Sequence, residues 1–310
     1  MTTLVDMIGD YKLSHEYRNL RDETKASYEY LINQLLDTRV NGTKFKKLDV
    51  NKLTGKMCKL AYDMWCERGI HFANKTIAVA RVVYNHGIHM EFVTSNPFTS
   101  VRRRTPKKRT TLWARDQVVQ LLDTAYSDFN TRNIGLIAQM AYEWCQRVGD
   151  MRLLKWSNLN IPQQRAHILQ SKRRAEVYLP MSDDLAEMLT QQQEEFGFQD
   201  YVAPRPYLVG GVYEPYTMYK LSKHSRALIR AAGLPDTLRL SDLRRTGTTE
   251  MVQAGVGIGQ IMSVTGHANP QSVKPYIKNT YDAANFALTQ RQKHGKSTLD
   301  AEQKEDIYNV

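Results

Sequence analysis

A run of positive charge from Thr99 to Leu112, TSVRRRTPKKRTTL, divides this chain more sharply than any other feature. It holds six basic residues, one proline and no acid. Like charges repel along it, Pro106 interrupts a helix, and no apolar period survives. A segment of that kind connects cores and does not form one. With 310 residues, the chain is long enough for two domains, each burying a core of its own.

Upstream, the apolar residues recur at helical spacing. Tyr28, Leu31, Ile32, Leu35 and Leu36 make one stripe that ends near Asn41-Gly42. Met57, Leu60, Ala61, Met64 and Trp65 make a second that ends near Gly69, and Ile77, Ala80, Val83 and Tyr84 a third before Gly87. Downstream, Val118, Val119, Leu121 and Leu122 lead one helix, and Ile134, Ile137, Ala138, Ala141 and Tyr142 mark the next. The texture then changes. Residues 166–170 and 176–179 read as short strands around Lys172-Arg173-Arg174, and residues 182–195 and 217–232 as further helices. The expected fold is mainly α with a small antiparallel β-sheet. Residues 1–97 form a helical domain, 98–112 the basic linker, 113–297 a second domain and 298–310 a polar tail.

A formal charge of +11 points to a polyanionic partner, because clustered Lys and Arg gain affinity by releasing counterions from phosphates. The three cysteines, Cys58, Cys66 and Cys145, have no paired ligand spacing, which argues against a disulfide framework or a zinc site and fits a reducing cytosol. No charged-then-apolar leader opens the sequence and no run has the length of a membrane span, so a cytoplasmic protein is expected.

The chemistry concentrates between Ser241 and Tyr276, SDLRRTGTTEMVQAGVGIGQIMSVTGHANPQSVKPY. Arg244 lies in an Asp-Leu-Arg-Arg-Thr helix start, Gly266-His267 follows an apolar helix, and Tyr276 comes nine positions after the histidine. These residue types suit holding a DNA phosphate between positive donors while a phenol attacks it. Metal-free transfer of a phosphodiester needs a nucleophile, donors on the non-bridging oxygens and an acid for the departing sugar oxygen. Arginine serves as such a donor because it offers two parallel N–H groups and stays protonated. A second stretch, Gln146 to Trp156, contains Arg147 with Asp150 three residues on. Arg245 competes with Arg244 for the same role, and Tyr281 with Tyr276 among the 17 tyrosines.

Together these stretches resemble the signature boxes of the tyrosine recombinases, the phage integrase family, most strongly over residues 131–281. The resemblance implies a helical core-binding domain followed by a mixed α/β catalytic domain, closing as a clamp around duplex DNA. By position in the family boxes, Arg147, Lys172, Arg244, His267 and Tyr276 are catalytic, and Asp150 and Ser241 support them. Arg102, Arg103, Arg104, Lys107, Lys108 and Arg109 of the linker, with Arg173 and Arg174 of the hairpin, would follow the DNA backbone. The implied reaction is site-specific recombination through a 3′-phosphotyrosyl intermediate, with no cofactor and no metal. Four copies would assemble on two DNA sites, residues 283–293 forming a helix that docks on a neighbour, with a DNA-bending or directionality factor as a further partner. Phage integration, excision and chromosome resolution all fit that reaction.

One position departs from the family pattern. Ser241 stands where a histidine is usual, and a hydroxyl exchanges hydrogen bonds but does not titrate near neutral pH. That motivates one alternative, a catalytically impaired DNA-binding regulator. A type IB topoisomerase-like relaxase, sharing the same constellation of residue types, is another.

Overall fold

In the computed structural model, residues 2–172, 174–277, 284–285 and 287–294 are described. The chain separates into two compact units, Met1–Arg109 and Thr110–Val310. Arg173, Tyr281, the tail 298–310 and part of the expected docking helix lie outside the described residues; residues 284–285 and 287–294 of that segment are helical.

The first unit is built on α1 (Leu4–Leu13), α2 (His15–Arg18), α3 (Asp22–Asp37), α4 (Gly55–Arg68) and α5 (Ile70–His89). Local chemistry sets the helix ends. Thr3 and Asp6 close a reciprocal cap at the start of α1, and Thr54 accepts from the Met57 amide at the start of α4. Between α3 and α4 the chain forms a hairpin, β1 (Arg39–Val40) and β2 (Thr43–Lys44), turning at Asn41-Gly42, both at positive φ. The asparagine-glycine pair is thus a hairpin turn as well as the end of a helical stripe.

Three expectations for this region are corrected. The α4 stripe is rotated: Cys58, Ala61, Tyr62 and Trp65 are buried, whereas Leu60 and Met64 are exposed. Gly87 does not end a helix but lies within α5, where a Cβ would come 2.2 Å from the Met7 sulfur, so α1 crosses α5 at that point. The linker also starts later than residue 98, because Phe98 and Val101 belong to the apolar core of the first unit.

The second unit arranges α6 (Arg115–Tyr126), α7 (Phe129–Glu143), α8 (Val148–Met151), α9 (Asp183–Phe196), α10 (Met218–Ala231), α11 (Leu243–Gln253) and α12 (Ile258–Thr265). With them are an antiparallel sheet of β3 (Leu159–Asn160), β4 (Arg165–Leu169) and β5 (Glu176–Pro180), and a hairpin of β6 (Pro204–Val209) and β7 (Val212–Pro215). Helix α7 is the axis of this unit. Its residues 133–141 are buried without a break, so it is enclosed on every side, and it contacts α6, α8, α9, α10, α11 and β6. Its buried polar groups are satisfied: Asn133 donates to the Pro204 carbonyl and accepts from Gln192. Trp113 ties the start of the unit to α11, its amide donating to Thr246 Oγ1 at 3.0 Å and its indole to the Arg239 carbonyl at 3.0 Å.

In the three-stranded sheet, Ala166 and Ile168 of β4 and Val177 and Leu179 of β5 face the core, in alternation with exposed residues. The pairing of β4 with β5 fixes the connecting loop that carries Lys172. At the crossing of α7 and α11, a Cβ on Gly247 would lie 2.7 Å from both the Cys145 sulfur and the Tyr142 carbonyl oxygen. Replacing glycine by alanine inside a helix normally stabilises by about 1 kcal/mol. Overpacking against a backbone carbonyl costs about 1–3 kcal/mol and reverses the sign. We expect Gly247→Ala to lose roughly 1–2 kcal/mol in urea unfolding; an equal or more stable variant would mean that the two helices do not touch at backbone distance.

Candidate active site

The site forms where three chain reversals meet. The first follows α7. Cys145 adopts a left-handed conformation at φ 51°, turning the chain so that Arg147 becomes the residue that caps α8. Arg147 donates from Nη1 to Gln170 Oε1 at 2.8 Å and stands 3.6 Å from Asp150 Oδ2. Its side chain keeps 26% of its surface exposed, so the guanidinium borders an opening.

The second reversal is the loop between β4 and β5. Gln170 continues the inward alternation of Ala166 and Ile168 and is fully buried. Its Nε2 donates to Gln146 Oε1 at 2.7 Å and to the Thr265 carbonyl at 2.8 Å. Gln146 in turn donates to the carbonyls of Trp144 and Val264. The next residue, Ser171, binds Asp150 Oδ1 through both its amide and its hydroxyl. Lys172 then emerges exposed, directly after two anchored residues, and Arg174 is exposed at φ 51°.

The third reversal ends α12. Gly266 closes the helix at φ 66°, ψ 31°, the left-handed conformation that a glycine adopts without a Cβ penalty. A Cβ there would also come 2.6 Å from Gln170 Nε2, so backbone conformation and packing both require glycine. His267 follows, 9% exposed. The Thr265 hydroxyl lies 2.7 Å from the Ile261 carbonyl and 2.7 Å from His267 Nδ1. It has one hydrogen, which goes to the carbonyl, so Nδ1 carries a proton and donates to the hydroxyl. The network thereby assigns Nε2 as the acceptor, facing Arg244 Nη2 at 3.3 Å.

Arg244 itself is 8% exposed on the first turn of α11. Its Nη2 donates to the Thr265 carbonyl at 2.8 Å, while the buried Nη1 has no hydrogen-bond partner among the described residues. Burial, reinforced by the positive charge of Arg147, lowers its pKa to about 10, which leaves it protonated at neutral pH. Tyr276, in a single 3₁₀ turn, is half-buried with its ring centroid 6.1 Å from that of His267. A negative charge on its oxygen would stabilise the Arg244 cation, so the two side chains share one field.

The structure therefore brings Arg147, Asp150, Arg244, His267 and Tyr276 together, with the Lys172 loop tied to the same cluster. Arg244 is the arginine turned into it; Arg245 is only partly buried. Ser241 is exposed in the 3₁₀ turn that leads into α11. In the linker, Arg102, Arg103, Lys107, Lys108 and Arg109 are exposed. Arg104 is exposed as well. It pairs with Asp63 at 3.0 Å, and its backbone bonds to Tyr62 and Asn74, so it fastens the chain to the first unit. Sequence reasoning did not single out Gln146, Gln170 or Thr265. The alternation of β4 carried a signal for Gln170, since extending it by one step points a polar residue inward. Among the described residues, no group of three His, Cys, Asp or Glu is placed to hold a metal ion, and no helix is long and apolar enough to cross a membrane.

Two guanidiniums, an imidazole and a phenol are thus gathered in one cluster of the second unit. The family model of the phage integrase family matches residues 112–283, more than half of the chain, and the protein belongs to that family. Its function is that of a site-specific recombinase of the tyrosine type. A tyrosine recombinase of Pseudothermotoga lettingae is 22% identical over 298 residues, covering 93% of this chain and 99% of the relative. The fold is similar to that of a lambda integrase tetramer bound to a Holliday junction, with TM-score 0.72 and 17% identity over 90% of this chain and 78% of that one. It is equally similar to the Tn1549 transposon integrase in complex with transposon right end DNA, with TM-score 0.72 and 13% identity over 93% and 99% of the two chains.

Thr265→Val keeps the shape of the side chain and removes the hydroxyl that receives the Nδ1 proton. With Nε2 still facing the Arg244 donor, we expect the ring to keep its tautomer and the Nδ1 ¹⁵N resonance to shift as its proton loses the hydroxyl acceptor. An unchanged Nδ1 resonance would show that the proton does not go to the Thr265 hydroxyl.

Proposed function

We propose that the protein cuts and rejoins duplex DNA through a covalent 3′-phosphotyrosyl intermediate, with Tyr276 as the nucleophile. The observation that carries this reading is the unpartnered, buried Nη1 of a protonated Arg244, whose guanidinium feels the charges of both Arg147 and Tyr276. A buried donor without an acceptor is costly in the free protein, and a phosphate oxygen would satisfy it. Arg147 and Arg244 then hold the two non-bridging oxygens as charge builds on them.

In the first step the Tyr276 oxygen bonds to phosphorus, its phenol proton passing to water, and the bond to the 5′ oxygen breaks, the leaving oxygen taking its proton from Lys172. In the second, a 5′-hydroxyl gives its proton back to Lys172 as it attacks the phosphotyrosine, the bond from phosphorus to the Tyr276 oxygen breaks, and that oxygen regains a proton from water. One phosphodiester replaces another, so neither nucleotide nor metal enters the balance. Ser241 contributes a hydrogen bond and no proton, consistent with Lys172 as the acid. The exposed linker cations, with Arg173 and Arg174, add contacts along the DNA backbone that position without reading sequence. Four copies would act on two sites, a reading supported by the tetrameric lambda integrase of similar fold.

Suicide duplexes drawn from DNA flanking the gene provide the test. Tyr276→Phe is expected to abolish the covalent adduct while leaving DNA affinity nearly intact; an adduct that persists in this variant and vanishes in Tyr281→Phe would move the nucleophile to Tyr281. The acid has its own assay. Lys172→Ala should lose about a hundredfold or more in cleavage of an ordinary phosphodiester and regain it on a substrate with a 5′-bridging sulfur, whose thiolate leaves without protonation. Equal loss on both substrates would remove Lys172 as the proton donor.

A further inference from the structure

Gln170 is a polar side chain with no exposed surface, and all its hydrogen-bonding neighbours belong to the site. Its oxygen accepts from Arg147. Its nitrogen donates to Gln146 and to the Thr265 carbonyl, the same oxygen that accepts from Arg244 Nη2. One planar amide thus spans the distance between the two guanidiniums, touching the first directly and the second through a shared acceptor. The amide cannot rotate without breaking the set, because Gln146 is itself locked to the carbonyls of Trp144 and Val264. Gly266 lies against it so closely that no side chain fits between.

From this geometry we infer that Gln170 is a positioning residue that sets the spacing and orientation of Arg147 and Arg244 on the scissile phosphate. The inference rests on the phosphoryl-transfer reading above and adds to it the group that aligns the two donors. Arg147 and Arg244 repel each other, and burial weakens the hold of Arg244 on its charge. Left to themselves, two long cationic side chains would swing apart. An amide that accepts from one and shares an acceptor with the other resists that drift at no cost in charge. A carboxylate at the same place would hold Arg147 more strongly and draw its positive field away from the phosphate. A neutral amide orients the guanidinium and leaves its charge for the substrate.

Gln170→Met keeps length and volume and removes both polar functions. We expect single-turnover cleavage to fall by about a hundredfold, the scale of a small misplacement of catalytic groups, with DNA affinity within about twofold of wild type. The decisive comparison uses a duplex whose scissile phosphate is a methylphosphonate, in which one non-bridging oxygen and its charge are absent. With less charge to stabilise, the arginines matter less, so Arg147→Ala and Arg244→Ala should show smaller deficits there. Gln170→Met should follow them, its deficit shrinking by about tenfold. An equal loss on both substrates, or no loss on either, would overturn the positioning role and leave Gln170 a packing residue. If the methionine variant fails to fold, Gln170→Glu carries the same comparison. It still accepts from Arg147 but loses the donors to Gln146 and Thr265, and its deficit should also shrink on the neutral substrate. Absence of an adduct from wild-type protein, or arginine variants that cleave normally, would instead overturn the active-site reading itself.

Discussion

A guanidinium held almost out of solvent beside a second one is the constraint around which the rest of the catalytic unit is arranged. Removing a charge from water costs several kcal/mol after relaxation, and a like charge nearby adds to that cost. Arg244 bears both penalties. What offsets them is the C-terminal end of α12, where the Thr265 carbonyl carries the negative end of the helix dipole. The left-handed turn at Gly266 exposes that carbonyl to Arg244 and at the same time delivers His267 to the other hydrogen of Nη2. Remove the turn and the buried cation loses its acceptor and its imidazole together.

The same end of α12 organises the hairpin. Thr265 accepts from Gln170, Gln170 from Arg147, and Asp150 holds Ser171, so the loop bearing Lys172 is fastened at two consecutive residues before the lysine. Stiff anchors followed by a long exposed side chain suit a proton donor, since the ammonium keeps its reach while its origin stays fixed. Helix α7 supplies the frame for all of this, ending at Glu143 just before the turn that presents Arg147.

Much of this was legible in the sequence, and what was not has identifiable physical causes. Apolar spacing placed α3, α5, α6 and α7, although Val119 of the α6 stripe is exposed and α7 is buried all round. The α4 stripe is right at Met57, Ala61 and Trp65 and off by a residue at Leu60 and Met64, which are as apolar as Cys58 and Tyr62, so only the neighbouring helices decide which are buried. The β1–β2 hairpin escaped because strands of two residues are too short to show alternation. At the site, residue types with distinctive chemistry, such as Arg147, Arg244, His267 and Tyr276, stood out by spacing. Gln146, Gln170 and Thr265 are common residues whose meaning lies in one another, across 95 positions between Gln170 and Thr265. Arg104 read as one more basic residue in a basic run, and its partner Asp63 lies 41 positions away.

The contact between α7 and α11 at Gly247 governs how far this unit can be altered. A Cβ at that position would meet both the Cys145 sulfur and the Tyr142 carbonyl, so close main-chain contact seats α11, and with it Arg244, against the end of α7. Enlarging residue 247 would therefore move the first turn of α11 and the arginine on it, however well the rest of the core is repacked.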